Sequence, residues 1–315
     1  MSSVSNKAAT TAITRRDALR TIAATSALMA FPSILRPAFA RAADEAADSK
    51  SDAAGTFKQS VCKWCYKKFS VEKLAIEAKR IGLRSVELLE LEEIPIVQKL
   101  GLDCAVTYVP RIVGASGRKN RYDSLNRREL HPDNLKSFEL GIARAAALKV
   151  PNVICFTGNR IKGQSDQEGL EVCVEILKQI APIAEKHKVT VILELFNHYD
   201  HRGYLGDKTA WGVELVKKVG SERVKILYDI YHMAREGDDV IPVIRANKDY
   251  FGHYHTAGVP KRNEFEPQDN QKLDYPAIMR AIHATGYRGY IGHEFLPKRD
   301  PIKSLEAAYE ICKVA

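Results

Sequence analysis

Four short apolar runs in the 315-residue chain each lead into a side chain able to bind a hard or borderline metal ion. Val189–Leu193 leads into Glu194, Lys225–Tyr228 into Asp229, Phe251–Tyr254 into His255, and Tyr290–His293 into Glu294. One carboxylate closing a buried strand could be a salt-bridged core acid, because an unpaired charge there costs several kcal/mol. Four such endings in succession point instead to one divalent ion shared by Glu194, Asp229, His255 and Glu294. Three carboxylates and one imidazole make an oxygen-rich set that suits Mn²⁺, Mg²⁺ or Co²⁺, with Zn²⁺ as a further option.

The intervals between these residues are 35, 26 and 39 positions. One strand, one helix and their two loops occupy roughly 25 to 40 residues, so each ligand follows the last by one βα repeat. In a (β/α)8 TIM barrel the C-terminal ends of all strands meet at one mouth, where active sites are built. The rest of the chain must therefore supply further repeats, and from Phe57 it does. Strands are expected at 59–65, 85–89, 103–109 and 152–156, ahead of the four already named. Helices are expected at 71–81, 94–100, 132–148, 167–187, 210–219, 240–246, 275–285 and 302–313. A loop carries Arg111 to His131. Leu170, Val174, Leu177 and Ile180 recur at helical spacing in the longest helix. Eight alternating units imply a parallel sheet closed into a single-domain barrel.

The expected domain plan is a signal peptide over 1–40, a disordered linker over 41–56 and the barrel over 57–315. Arg15-Arg16 precedes a modestly apolar run to Leu35 and a small-x-small cleavage site at Ala38-Phe39-Ala40. This resembles a bacterial twin-arginine (Tat) signal and implies export to the periplasm or beyond. The run is too short for a spanning helix, and no cysteine follows the cleavage site, so no stable membrane anchor is expected. The formal charge of +9 includes +4 within the first 40 residues. The remaining excess calls for no nucleic-acid partner, and Arg118-Lys119-Asn120-Arg121 reads as a solvated loop. Six scattered cysteines do not form a disulfide scaffold. Cys62 and Cys65, placed on one strand, would face opposite ways and read as packed thiols.

The blocks VILEL (191–195), YDIYHM (228–233), HYHTAG (253–258) and GHEF (292–295) resemble the hydroxypyruvate isomerase-like group of the xylose isomerase-like barrels. VCKWCY (61–66), CFTGNR (155–160) and LDYPAIMRAIHATGYRGYIG (273–292) add to the resemblance. It extends over roughly 57–315 and is strongest from Glu194 onward. It implies an isomerase or epimerase of a sugar or hydroxy-carbonyl compound, with the divalent ion on Glu194, Asp229, His255 and Glu294. The implied reaction moves a proton through an enediolate, with Glu194 and Glu294 as the acid–base pair.

Around that centre, His232 is placed to donate to a substrate oxygen, or else caps a loop. Arg262 offers a fixed fork of donors to a carboxylate or hydroxyl, or else lies on the surface. His201 is a further substrate-side candidate, and Trp64 either walls the pocket or packs in the core. His253 reads as a core or supporting histidine, and Glu87 as an interior acid in need of a structural partner. Relatives commonly carry Gly at Lys261, His at Asn263 and Gln at His293. The first two are expected to touch the far end of the substrate, which leaves the substrate open. The rival readings are a metal-dependent lyase or hydrolase acting on keto-sugars, and a non-catalytic sugar-binding barrel. The partner in each case is a small sugar-like molecule, and a homo-oligomer is compatible with all of them.

Overall fold

A computed structural model describes residues 56–113, 124–269 and 271–314. The expected signal peptide, nearly all of the expected linker and the Arg118–Arg121 cluster lie outside the described residues.

The strands are β1 (Lys58–Cys62), β2 (Ser85–Glu87), β3 (Val106–Thr107), β4 (Asn152–Cys155), β5 (Thr190–Glu194), β6 (Val224–Asp229), β7 (Phe251–Thr256) and β8 (Tyr290–His293). They are all parallel, in the order β2-β1-β8-β7-β6-β5-β4-β3. Two isolated parallel bridges, Ser85 with Asp103 and Leu89 with Thr107, join the two ends of that order. The sheet is thus a nearly closed eight-stranded barrel. The strands are almost wholly buried, with no alternation of buried and exposed residues, as a parallel sheet covered on both faces requires.

The helices are α1 (Val71–Ile81), α2 (Ile94–Lys99), α3 (His131–Ala147), α4 (Asp166–His187), α5 (Thr209–Val219), α6 (Ile230–Glu236), α7 (Val240–Asn247), α8 (Tyr275–Ala284) and α9 (Pro301–Ile311). Their ends follow local chemistry. Ser70 Oγ accepts from Lys73 N at the start of α1, and Gly82, at φ +110°, ends it. Ser165 and Glu168 form a reciprocal capping box on α4. Asp229 both closes β6 and caps α6, its Oδ1 accepting from Tyr231 N at 2.8 Å and His232 N at 3.3 Å.

Three expectations need correction. β1 stops at Cys62, because the paired residues of its neighbours end at Glu87 and His293, and 63–66 wind into a 3-10 helix. Cys62 and Cys65 therefore do not share a strand, and the opposite-face argument fails. Both are nonetheless buried free thiols, as are the other four cysteines. β3 is two residues long, because its approach bonds to side chains instead of a ladder. Ala105 N donates to Ser85 Oγ, and Ala105 O accepts from Asn152 Nδ2. The short helix α6 was not expected; its Asp229 cap and the left-handed Gly237 at its end account for it.

Ser165→Ala is expected to cost about 1 kcal/mol, the usual value of an N-cap, seen as a lower urea midpoint at unchanged slope. An unaltered midpoint would show that this box adds nothing to α4.

Candidate active site

Strand register places the functional side chains. Glu194 and Asp229 are the last residues of β5 and β6, His255 is the penultimate residue of β7, and Glu294 follows β8. All four are buried, and one ligand atom from each lies within 4.8 Å of the others. His255 Nδ1 is 2.8 Å from Glu294 Oε2 and 3.7 Å from Glu194 Oε1.

Arg262 enters this cluster from the loop after β7. Its Nη2 donates to Asp229 Oδ2 at 3.1 Å and to Glu294 Oε2, and its Nη1 lies 2.8 Å from His232 Nε2. The loop that aims it is tight. Arg262 itself sits at φ +55°, and a Cβ at Gly258 would fall 2.2 Å from Glu264 O. Trp64 Nε1 donates to Glu294 Oε1 at 2.6 Å. Trp64 and Tyr231 hold their rings 5.4 and 5.2 Å from the guanidinium. His201 stacks on Phe196 with ring centres 4.2 Å apart.

These contacts set the charges. Burial pushes the Glu294 carboxyl up, but Arg262 and His255 outweigh it and hold the group well below the usual carboxylate range. Burial, then the neighbouring Glu294 charge, raises Glu194 to about 8. Burial and then Arg262 keep His232 neutral, and the same two causes lower His201. Arg262 stays charged, since Glu294 and Asp229 overcome the burial that disfavours it. Glu194 Oε1 is buried and has no hydrogen-bond partner among the described residues. One fixed guanidinium thus bonds two of the three carboxyl groups, and Glu194 is left with an orphaned oxygen and ionises only near pH 8. That missing partner, with the oxygen-rich donor set, fits a divalent ion.

Glu194, Glu294, Arg262, Trp64, Phe196 and His201 face a cavity of about 240 Å³ at the mouth. Residues 77–312 match the xylose isomerase-like TIM barrel family. The chain belongs to that family.

The hydroxypyruvate isomerase of Escherichia coli is 28% identical over 171 residues, covering 53% of this chain and 65% of that one. The 2-oxo-tetronate isomerase of Cupriavidus necator is 33% identical over 125 residues, covering 40% and 47%. The chain therefore spans less than two thirds of the length of these curated relatives. A structure of D-psicose 3-epimerase with D-tagatose, from Clostridium cellulolyticum H10, shares the fold. Its TM-score is 0.67 at 16% identity, over 81% of this chain and 98% of that one.

In this xylose isomerase-like barrel the four strand-end residues come together as the spacing predicts, with Arg262, His232 and Trp64 in direct contact with them or each other. His201 reaches the cavity but not the carboxylates. Lys261 and Asn263 do not face the 240 Å³ cavity. They line a separate one of about 460 Å³ with Glu264, Lys298 and Arg299. Of this loop, which turns at Gly258, Arg262 alone lines the inner cavity. His293 bonds Gln59 and Thr256 in the core, where burial lowers it to about 3, and it takes no part in the site.

Phe196 was not anticipated; it lies two residues past Glu194, on the same strand parity, and that spacing was the available signal. Glu87 is the interior acid that the sequence implied, and its partners are the two histidines of β7. Its Oε1 lies 2.9 Å from His253 Nε2 and 2.8 Å from His255 Nε2. A proton on His255 Nε2 is thereby fixed toward Glu87, and Nδ1 faces the carboxylates, where it would turn its lone pair to a bound ion. Gly292 makes room for this pairing, since a Cβ there would lie 2.3 Å from Glu87 Oε1 and 2.8 Å from His255 Cδ2.

Glu87→Ala is expected to weaken Mn²⁺ binding by roughly 10- to 100-fold, the usual effect of losing the group that orients a ligating histidine. Titration calorimetry on the folded variant reads this directly. Wild-type affinity in Glu87→Ala would show that His255 is held by other means or is not a ligand.

Proposed function

We propose that the protein is a divalent-metal-dependent isomerase or epimerase acting on a sugar or hydroxy-carbonyl compound by proton transfer at the carbon beside the carbonyl. One observation carries the reading: of the four clustered residues, the two glutamates line the cavity while Asp229 and His255 do not. A substrate at the mouth therefore meets two carboxyl groups, as two-step proton transfer needs and simple binding does not. The relatives named as isomerases support the same class.

Glu194 and Glu294 are assigned as the acid–base pair. Glu294, kept ionised by Arg262 and His255, takes the proton from the carbon. Glu194, raised to about 8 and so protonated at neutral pH, returns a proton to the neighbouring carbon or to the other face, its Oε1 having no hydrogen-bond partner among the described residues. Arg262 lines the cavity with Nε and Nη2 held by Glu294 and Asp229 and one N–H of Nη1 held by His232, and its remaining N–H donates to a substrate oxygen. Phe196 and His201 give the carbon skeleton a flat surface and exclude water. A divalent ion held by Glu194, Asp229, His255 and Glu294, with Mn²⁺, Mg²⁺ or Co²⁺ favoured by the donors, would supply Lewis-acid stabilisation of charge developing on the substrate oxygens. The paired arginines and the small-x-small site further support export by a twin-arginine route, with cleavage after Ala40.

Glu194→Gln and Glu294→Gln are each expected to lower kcat by at least about 10²- to 10⁴-fold. With a panel of keto- and aldo-sugars in D₂O, NMR should show deuterium entering the carbon beside the carbonyl. A substrate deuterated at that carbon covers a proton passed internally between carbons. Turnover with neither wash-in nor label transfer would exclude the proton-transfer mechanism. Asp229→Ala should lose the ion by elemental analysis; equal metal in variant and wild type would overturn the ligand set. Mass spectrometry of the exported protein should find Arg41 as the first residue, and export unchanged after Arg15 and Arg16 are both made Lys would refute the route.

A further inference from the structure

The cavity that holds the two glutamates is not the larger one at the mouth. Beside it lies a cavity of about 670 Å³, lined in part by Glu90, Arg111, Arg127, Asn159 and Tyr204. Tyr108, Phe156, Phe196 and His201 line both. The inner volume of about 240 Å³ falls below the roughly 300–1,000 Å³ of ligand pockets in general, and the outer one falls within it. A small hydroxy acid would use the inner cavity alone and leave the outer one without purpose.

The wall between the cavities is a stack of flat rings. Phe156 and Phe196 have centres 5.4 Å apart at 27°, and Phe196 and His201 are 4.2 Å apart at 18°. The negative faces of such rings suit the polarised C–H bonds of a sugar ring. The polar groups of the outer cavity are mixed in sign. Arg127 lies 3.7 Å from Glu129, and the charge of Arg111 acts on Glu90. Arg160, close in sequence to Asn159, is taken up by Asp166 and Asp207. The lining itself sets Arg111 and Arg127 against Glu90, with Glu129 beside Arg127, so it offers donors and acceptors to hydroxyls and little net charge to a phosphate or carboxylate.

We propose that the substrate is bipartite: a keto-sugar unit in the inner cavity, bearing a second, uncharged sugar residue that occupies the outer one. This rests on the proton-transfer reading above and specifies its substrate class. Contacts to the distal residue lie away from the reacting carbons, so their binding energy is felt in kcat/KM, and truncated substrates lose rate as well as affinity.

The test uses the metal-loaded protein and three probes: a free ketohexose, its phosphate ester, and a set of disaccharides whose reducing unit is that ketohexose in different linkages. Deuterium exchange gives kcat/KM. At least one disaccharide is expected to exceed the free ketohexose by about 10- to 100-fold, the worth of one or two hydrogen bonds to charged groups, with no such gain for the phosphate ester. Arg127→Ala and Asn159→Ala should reduce kcat/KM for that disaccharide at least about tenfold more than for the free sugar. Saturation-transfer NMR on the same protein reads binding without turnover, and both rings of the disaccharide should receive saturation. If no probe exchanges but both rings are saturated, the proton-transfer reading fails while the bipartite site stands. Saturation of one ring only, or a free or phosphorylated sugar matching every disaccharide, overturns the bipartite site.

Discussion

Three carboxylates buried within a few ångströms of each other form the constraint around which the barrel mouth is arranged. Two like charges 4 Å apart repel by about 4 kcal/mol even at an effective dielectric of 20. Removing them from water adds several kcal/mol more for each ion. The guanidinium of Arg262 answers both costs. Its Nη2 reaches Asp229 and Glu294 at once, while Nη1 meets His232 and Nε donates to Glu294 O, a spread of contacts that a lysine, with its one nitrogen, could not make. Much of the loop after β7 serves that placement. Gly258 admits the tight turn, Arg262 adopts a left-handed backbone, and Leu296 N donates to Arg262 O, tying the loop to the end of β8. One guanidinium bonds two of the three carboxyl groups and leaves Glu194, raised to about 8, without a cationic partner, a place that a divalent cation would fill.

The ligand atoms are sorted by what the fold has already used. Asp229 spends Oδ1 on the cap of α6 and turns Oδ2 to the site. His255 spends Nε2 on Glu87 and turns Nδ1 to the site. Each of these residues is thereby oriented by a bond on its far side before any ion arrives, and neither has freedom to turn toward the cavity. Glu194 differs, with an unpartnered oxygen facing the same space. Rigid ligands alongside one carboxylate with a free oxygen is the division that proton transfer beside a bound cation requires.

The barrel and its metal-type cluster were legible in the sequence because both rest on spacing. Strand ends recur at one βα repeat, and a ligand at each end can only converge if the strands are parallel and closed. Arg262, His232 and Trp64 were legible as neighbours of those ends. What spacing does not encode was lost. The helix α6 hides within YDIYHMARE because Asp229 reads as a ligand before it reads as a cap. The short β3 could not be told from a longer strand, since its backbone is satisfied by Ser85 and Asn152 side chains from other elements. The inward turn of Arg262 and outward turn of Lys261 and Asn263 depend on backbone angles in one loop. The partnership of Glu87 with His253 and His255 joins residues more than 160 positions apart, and no local pattern announces it.

The two cavities divide the mouth along the same line. Apart from the rings of Tyr108, Phe156, Phe196 and His201, which line both, residues at or after β1, β5, β7 and β8 supply Trp64, Glu194, Arg262 and Glu294 to the inner space. Loops after β2, β3 and β4 supply Glu90, Arg111, Arg127 and Asn159 to the outer one. The first group is bound by register, because moving any strand by one residue would turn its ligand to the opposite face. The second group sits on connections that carry no ladder and share no ligand, so its residues can change without disturbing the charge balance around Arg262. The chemistry at this mouth is therefore held by the sheet, while the size and polarity of what reaches it are set by loops that the sheet leaves free to vary.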